Sequence, residues 1–182
     1  AICRLGNNEP LQHVLGYSTF YGYRFKCDGR ALVPRPETEE LVDWILHDIS
    51  TLNSQLSTLN ILDIGTGTGC IALSLAKELE GAEVTAVDIS AEALSLAREN
   101  AEMLEARDVR FVECDALGDC EKIKGRYDVI VSNPPYVREC EKTDMEANVL
   151  DYDPHTALFV TDDDPLIFYR AIGKFALTHL TP

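Results

Sequence analysis

Asn60-Ile61-Leu62-Asp63-Ile64-Gly65-Thr66-Gly67-Thr68-Gly69 is the stretch that decides the fold. A short apolar run, Asn60–Ile64, ends in a turn with glycine at every second position, and Cys70–Leu79 follows with helical spacing. A strand that hands over to a helix through a glycine-rich turn opens a βαβ unit. The pattern repeats downstream. Glu83–Val87 predicts a second strand ending at Asp88, and Ala91–Leu104 a helix with Leu94, Ala97, Ala101 and Leu104 on one face and Ser90 as its N-cap. Val109–Glu113 predicts a third strand ending near Asp115, and Tyr127–Ser132 a fourth ending at Asn133. Strands alternating with helices argue for an α/β fold with a parallel sheet and helices on both faces.

Upstream, Gln12–Leu15, Tyr17–Phe25 and Ala31–Val33 read as extended runs punctuated by Gly16, Gly22 and Gly29, which suggests a β-hairpin or meander. Pro34-Arg35-Pro36 stops any strand, and Glu37–Ile49 follows as a helix with three acids in its first turn, suited to the positive end of the helix dipole. Past the fourth strand, Val137–Asp163 is acidic and turn-rich, and a helix is expected from about Pro165 to Leu180. An open sheet stopping there would leave an apolar edge strand unprotected. The chain is therefore expected to be a fragment, truncated after the fourth strand and its helix, with residues 1–36 a hairpin and linker and residues 37–182 the main domain.

The chain has 182 residues, 46% hydrophobic and 26% charged, enough for one packed domain. Its apolar runs fall well short of the roughly 18–20 residues that span a bilayer, and Ala1-Ile2-Cys3-Arg4 lacks a signal-peptide layout. A cytoplasmic protein without a membrane role is expected. Six cysteines (Cys3, Cys27, Cys70, Cys114, Cys120, Cys140) form no Cys-x-x-Cys pair; they read as free thiols, mostly buried, and no metal site is expected. The net charge is −15, from 31 acidic and 16 basic residues, and the densest basic stretch is Lys122-Ile123-Lys124-Gly125-Arg126. Such a balance speaks against a large nucleic-acid footprint and fits a protein partner better.

The chemistry gathers at the carboxyl ends of the strands, where open α/β sheets bind ligands. Gly65, Thr66, Gly67, Thr68 and Gly69 let a ligand approach the main chain, and Asp88, at the tip of the next strand, can accept hydrogen bonds from both ribose hydroxyls of a nucleoside cofactor. Dinucleotides and S-adenosylmethionine both use this layout, but the turn lacks the Gly-x-Gly-x-x-Gly spacing of the dinucleotide fingerprint. Asp63 is placed to face a sulfonium or amino group, and Asp115 to reach an adenine edge.

Asn133-Pro134-Pro135-Tyr136, at the end of the fourth strand, is the sharpest motif. An amide or aromatic amine nitrogen is a poor nucleophile because its lone pair is delocalised. The Asn133 side-chain oxygen and the Pro134 carbonyl can accept its two N–H bonds and aim the lone pair at a sulfonium methyl. Pro135 biases Pro134 to an extended conformation, turning that carbonyl outward, and Tyr136 offers a flat face to a planar substrate. In-line transfer then gains from positioning and from acceptors that strengthen as charge grows on nitrogen, without a strong general base. Arg35 and Thr38 either line the cofactor pocket or open a helix. His155 is open between a substrate-site and a loop role, whereas His13, His47 and His179 read as structural or exposed.

Four motifs in order, Pro34-Arg35-Pro36-Glu37-Thr38-Glu39, Asp63–Gly69, Asn133–Tyr136 and Tyr152-Asp153-Pro154-His155-Thr156-Ala157-Leu158-Phe159, closely resemble the HemK/PrmC family of peptide chain release factor N5-glutamine methyltransferases. Leu11–Gly16 and Phe20-Tyr21-Gly22 resemble that family's hairpin. The resemblance implies a class I S-adenosylmethionine-dependent methyltransferase fold (Rossmann-like), with S-adenosylhomocysteine as coproduct. The implied reaction is methylation of the glutamine in a release factor's Gly-Gly-Gln loop. By matching motifs, Gly65–Gly69, Asp88, Asp115, Ala116 and Asn133 would bind the cofactor, and Asn133, Pro134, Pro135 and Tyr136 would hold the glutamine. The sequence departs from the family at Ala116, where an aromatic often follows the acid. The family's N-terminal helical domain and its last strands also lie outside these residues. Two other readings are a nucleic-acid adenine or guanine amino-methyltransferase and a non-catalytic cofactor-binding module.

Overall fold

A computed structural model of the chain describes residues 2–51, 58–118 and 122–181. Two short helices, α1 (Ile2–Gly6) and α2 (Leu11–Leu15), lead into an antiparallel hairpin of β1 (Tyr17–Phe20) and β2 (Tyr23–Lys26). The helix at Leu11–Leu15 replaces an expected extended run. Five residues carry too little periodicity to tell one helical turn from a strand, and the left-handed Gly16 closes the turn with its N–H on the Gln12 carbonyl. The hairpin turn has positive φ at Tyr21 (49°) and Gly22 (76°), as a primed two-residue turn requires. The Tyr21 hydroxyl holds it down, donating to Asp43 Oδ1 at 2.7 Å. Ala31–Val33, also expected to be extended pairing, forms no strand and instead crosses the domain as a strap, with Ala31 and Val33 buried.

The main repeat runs α3 (Glu37–Thr51), β3 (Asn60–Ile64), α4 (Cys70–Glu78), β4 (Glu83–Asp88), α5 (Ala91–Met103), β5 (Arg110–Glu113) and β6 (Val129–Ser132). The sheet order is β5-β4-β3-β6, every neighbour parallel. Ser90 caps α5 by accepting the Ala93 N–H at 3.1 Å. Tyr127 lies outside β6; it pairs in an isolated parallel bridge with Leu180, and its carbonyl accepts the Thr181 N–H at 2.8 Å. The segment expected to be irregular is tied at its base by β7 (Val137–Arg138) and β8 (Phe159–Val160), which pair in parallel around α6 (Ala147–Leu150). The long helix α7 (Ile167–His179) follows. This is the α/β fold with a preceding hairpin that the sequence predicts.

Alternation along the strands explains why the sheet is covered on both faces. Ile61, Val84, Ala86 and Val131 share a buried cluster with Phe20 and Phe25 of the hairpin, Val42 of α3 and Leu73 of α4. Leu62, Ile64, Val87 and Val112 face the other way, against Ile172 and Phe175 of α7. The fully buried Asn100 of α5 locks the hairpin in place: its Oδ1 accepts the Lys26 N–H at 2.6 Å, and its Nδ2 donates to the Lys26 and Thr68 carbonyls.

Cys3, Cys27, Cys70 and Cys140 are free thiols, but only Cys27 among them is buried. Cys114 is disulfide-bonded, which corrects its reading as a free thiol; Cys120 lies outside the described residues.

Gly69 opens α4 at φ +82°, and a Cβ there would stand 2.9 Å from Leu73 Cδ1 and 3.3 Å from Ala97 Cβ. Left-handed strain and overpacking therefore add in Gly69→Ala, which is expected to lose about 2 kcal/mol of stability. A urea midpoint equal to that of the parent chain, at equal slope, would contradict this.

Candidate active site

The strand order reverses between β3 and β6: the chain moves outward through β4 and β5, then returns to β6 on the far side of β3. A crevice opens at such a switch point, and the two richest motifs meet there. Gly65 and Thr66 donate their N–H groups to the Val87 carbonyl at 2.8 and 2.9 Å, bracing the glycine turn on β4. The Ser132 hydroxyl donates to the Ile64 carbonyl at 2.6 Å, which fixes the end of β6, and hence Asn133, beside the start of that turn.

Asp88 braces the glycine turn from the tip of β4. Its Oδ2 accepts the Gly67 N–H and its Oδ1 the Ser90 N–H, both at 2.9 Å. The carboxylate, with about four acceptor sites, keeps capacity for a ligand hydroxyl. Burial raises the Asp88 pKa, opposed by the backbone N–H groups of Ser90, Gly67 and Ile89. A cavity of about 370 Å³ lies against it, lined by Gly65, Gly67, Asp88, Asp115, Ala116 and Asn133 among others. That volume lies within the range of about 300–1,000 Å³ usual for small-molecule sites.

A second cavity, of about 460 Å³, adjoins the first and is lined by Arg35, Glu37, Thr38, Asn133, Pro134 and Tyr136, with Leu41, Met145 and Val149 on its apolar side. Leu32, Asn133, Pro134 and Ala157 line both cavities. Asn133 therefore stands at the partition between the two cavities, the second of which carries the exposed Tyr136 ring. Asn133 Nδ2 donates to Thr38 Oγ1 at 3.3 Å.

The strap and the 152–159 loop build the outer wall. Ala31 passes close over the glycine turn, 3.8 Å from where a Cβ on Gly67 would lie. The Asp153 side chain is only 1% exposed and accepts from Arg35 at 2.7 Å and from the Val33 N–H at 3.4 Å, joining strap to loop. Arg30, on the cofactor cavity, is paired with Asp28 and Glu99.

Of the residues expected to bind cofactor, Gly65, Gly67, Asp88, Asp115, Ala116 and Asn133 share one cavity. Thr66, Thr68 and Gly69 do not line it: Thr66 and Thr68 are buried behind the turn, and Gly69 starts α4. Pro134 and Pro135 line the cofactor cavity, whereas Tyr136 lines the second alone. Arg35 and Thr38 face the second cavity and not the first. His155 belongs to its loop, with Nε2 2.9 Å from the Leu150 carbonyl and its ring edge-on to Phe159. Leu32, Ala157 and Phe168 also line the first cavity, and nothing in an isolated apolar side chain marks it in sequence as cavity-lining.

Asp63, expected to face the ligand, points into the core. It is fully buried and takes the Thr66 hydroxyl at 2.7 Å on one oxygen. Burial lifts its pKa from 3.8 to about 7. Between these two values the folded chain holds a proton that the unfolded chain lacks, so stability falls as pH rises through this window. The full cost, about 4 kcal/mol, is in place above the folded pKa. Asp63→Asn cannot ionise and is expected to flatten the decline: its Tm should vary less than the parent's between pH 5 and pH 8. Parallel Tm–pH curves for the two chains would contradict the assignment.

A glycine turn, an acid at the next strand tip and Asn-Pro-Pro-Tyr at a switch point together define a methyltransferase-type site. The chain belongs to the family described as Methyltransferase small domain, whose pattern matches residues 47–152. It is 48% identical over 180 residues to the release factor glutamine methyltransferase of Flavobacterium psychrophilum, covering 99% of this chain and 62% of the relative. It is 51% identical over 182 residues to the same-named protein of Bacteroides thetaiotaomicron, covering 100% of this chain and 63% of that one. The chain thus spans about three fifths of the length of these curated relatives. The solved hMettl16 catalytic domain, in complex with the MAT2A 3'UTR hairpin 6, shares the fold with a TM-score of 0.66 at 19% identity, covering 93% of this chain and 61% of that one.

Proposed function

We propose that this chain transfers a methyl group from S-adenosylmethionine to the side-chain amide nitrogen of the glutamine in the Gly-Gly-Gln loop of a peptide chain release factor. The observation that carries the reading is the position of Asn133 and Pro134 on the partition between the two cavities. In this reading residues 37–182 carry the transfer chemistry and residues 1–36 brace it, working in the cytoplasm.

The residues present suit the cofactor: a carboxylate for ribose hydroxyls at Asp88, a glycine turn open to close approach, and Asp115 at the far end of the cavity. S-adenosylmethionine, when bound, supplies an electrophilic methyl on a sulfonium. The chain supplies position. The Asn133 oxygen and the Pro134 carbonyl accept the two amide N–H bonds, turning the nitrogen lone pair towards the cofactor cavity. Tyr136 covers the flat amide from the second cavity. These acceptors strengthen as positive charge develops on nitrogen and then ease one proton off towards water.

A protein substrate also suits the charges lining the site. Arg30 and Arg35 are both engaged by carboxylates, so neither stands ready for a phosphate backbone. No helix among the described residues is long and apolar enough to cross a membrane.

The test is methyl transfer from labelled S-adenosylmethionine by the full-length protein, offered a release factor, DNA and RNA in parallel. Label in the release factor alone is expected. Label confined to nucleic acid would move the substrate to an exocyclic base amine, and cofactor binding by calorimetry without transfer to any of the three would make the chain a binding module.

A further inference from the structure

The amide of Asn133 can sit two ways, related by a half-turn about its last bond and nearly identical in shape. Only one way serves the reaction, with Oδ1 towards the acceptor nitrogen; the other sets an NH2 donor against an N–H donor. In the productive orientation the two hydrogens on Nδ2 need a home away from the substrate, in a setting where Asn133 is only partly open to water.

Thr38 provides a home for one of them. Its Oγ1 lies 3.3 Å from Asn133 Nδ2, a contact between residues far apart in sequence. The backbone that carries this hydroxyl is well anchored. Thr38 sits in the first turn of α3 with its N–H on the Arg35 carbonyl at 3.0 Å, and the Glu39 N–H bonds the Pro36 carbonyl at 2.9 Å. Just upstream, the Val33 N–H and the Arg35 guanidinium are pinned to buried Asp153. On the other side of the contact, Asn133 is held by the Ser132–Ile64 hydrogen bond. Two independently fixed backbones thus present one hydroxyl to one amide.

We infer that Thr38 is a positioning residue: its hydroxyl takes the Asn133 NH2 group and so keeps the Asn133 oxygen turned to the substrate nitrogen. The inference rests on the acceptor role given to Asn133, and it assigns the helix-opening segment to the acceptor side of the site. A hydroxyl can donate as well as accept, so Thr38 does not forbid the reversed amide by itself. It removes the penalty on the productive one, which would otherwise leave a partly buried donor unpaired.

Thr38→Val keeps the shape and removes the hydroxyl; Thr38→Ser keeps the hydroxyl. In the full-length protein with a release factor as substrate, Thr38→Val is expected to lower kcat roughly ten- to a hundredfold. The KM for S-adenosylmethionine and the Tm should stay near those of the parent, and Thr38→Ser should restore most of the rate. In an Asn133→Ala background, Thr38→Val should cause no further loss, because the group it positions is gone. Parent-like kcat in Thr38→Val, no rescue by Ser, a loss that appears only in cofactor KM, or an additive loss in the double variant would each overturn the inference. Asn133→Ala measured alone separates the two levels. If it retains full turnover, the proposed function fails; if it loses turnover while Thr38→Val does not, only the role of Thr38 fails.

Discussion

Asn133→Ala is expected to lower methyl transfer by about 10²–10³-fold while leaving S-adenosylmethionine affinity within about tenfold, or ~1.4 kcal/mol. The asymmetry follows from where the side chain stands. Asn133 is one residue among many around the cofactor cavity, so truncating it removes little of the area that holds the nucleoside. In the proposed reading it is one of the two groups that accept the amide N–H bonds, so its loss would leave the nitrogen free to rotate out of line. Calorimetry with S-adenosylmethionine and single-turnover transfer, run on the same variant, separate the two effects. Unchanged turnover would remove Asn133 from the mechanism, and equal losses in binding and turnover would make it a cofactor residue only.

Asp88→Ala is expected to do the reverse, weakening S-adenosylmethionine binding by at least about a hundredfold. Two charge-assisted hydrogen bonds to a ligand would be lost at about 1.5–3 kcal/mol each. The same truncation strips the acceptor from the Gly67 and Ser90 N–H groups, loosening the turn that shapes the cavity floor. Binding within threefold of the parent would show that the carboxylate serves the turn and not the ligand.

Much of this site is legible in the sequence because its elements carry local signals. The four parallel strands are short apolar runs ended by glycine, acid or asparagine, and each boundary fell within about two residues of its place. Asp88 and Asn133 were legible for the same reason, since a polar residue at a strand tip has a direction set by the sheet. What could not be read depends on distant contacts. The orientation of Asp63 is fixed by strand alternation: its neighbours Leu62 and Ile64 face α7, so Asp63 turns to the other face beneath the glycine turn. The strap at Ala31–Val33 has the composition of a strand but pairs with no strand among the described residues, and its place is set by Asp153, far along the chain. Thr38 looked like a helix opener or a cofactor neighbour; only folding brings it to Asn133. Asn-Pro-Pro-Tyr reads as one unit in the sequence, yet the fold divides it, with Pro135 on the first cavity and Tyr136 on the second.

The central claim is that the partition at Asn133 and Pro134 presents a glutamine amide to a methyl donor. Mass spectrometry of a release factor incubated with the full-length protein and S-adenosylmethionine, then digested to isolate the Gly-Gly-Gln peptide, tests it most directly. One added methyl on the glutamine side chain is the predicted result. An unmodified peptide, or a methyl placed on any other residue, from an enzyme that demonstrably binds the cofactor would contradict it.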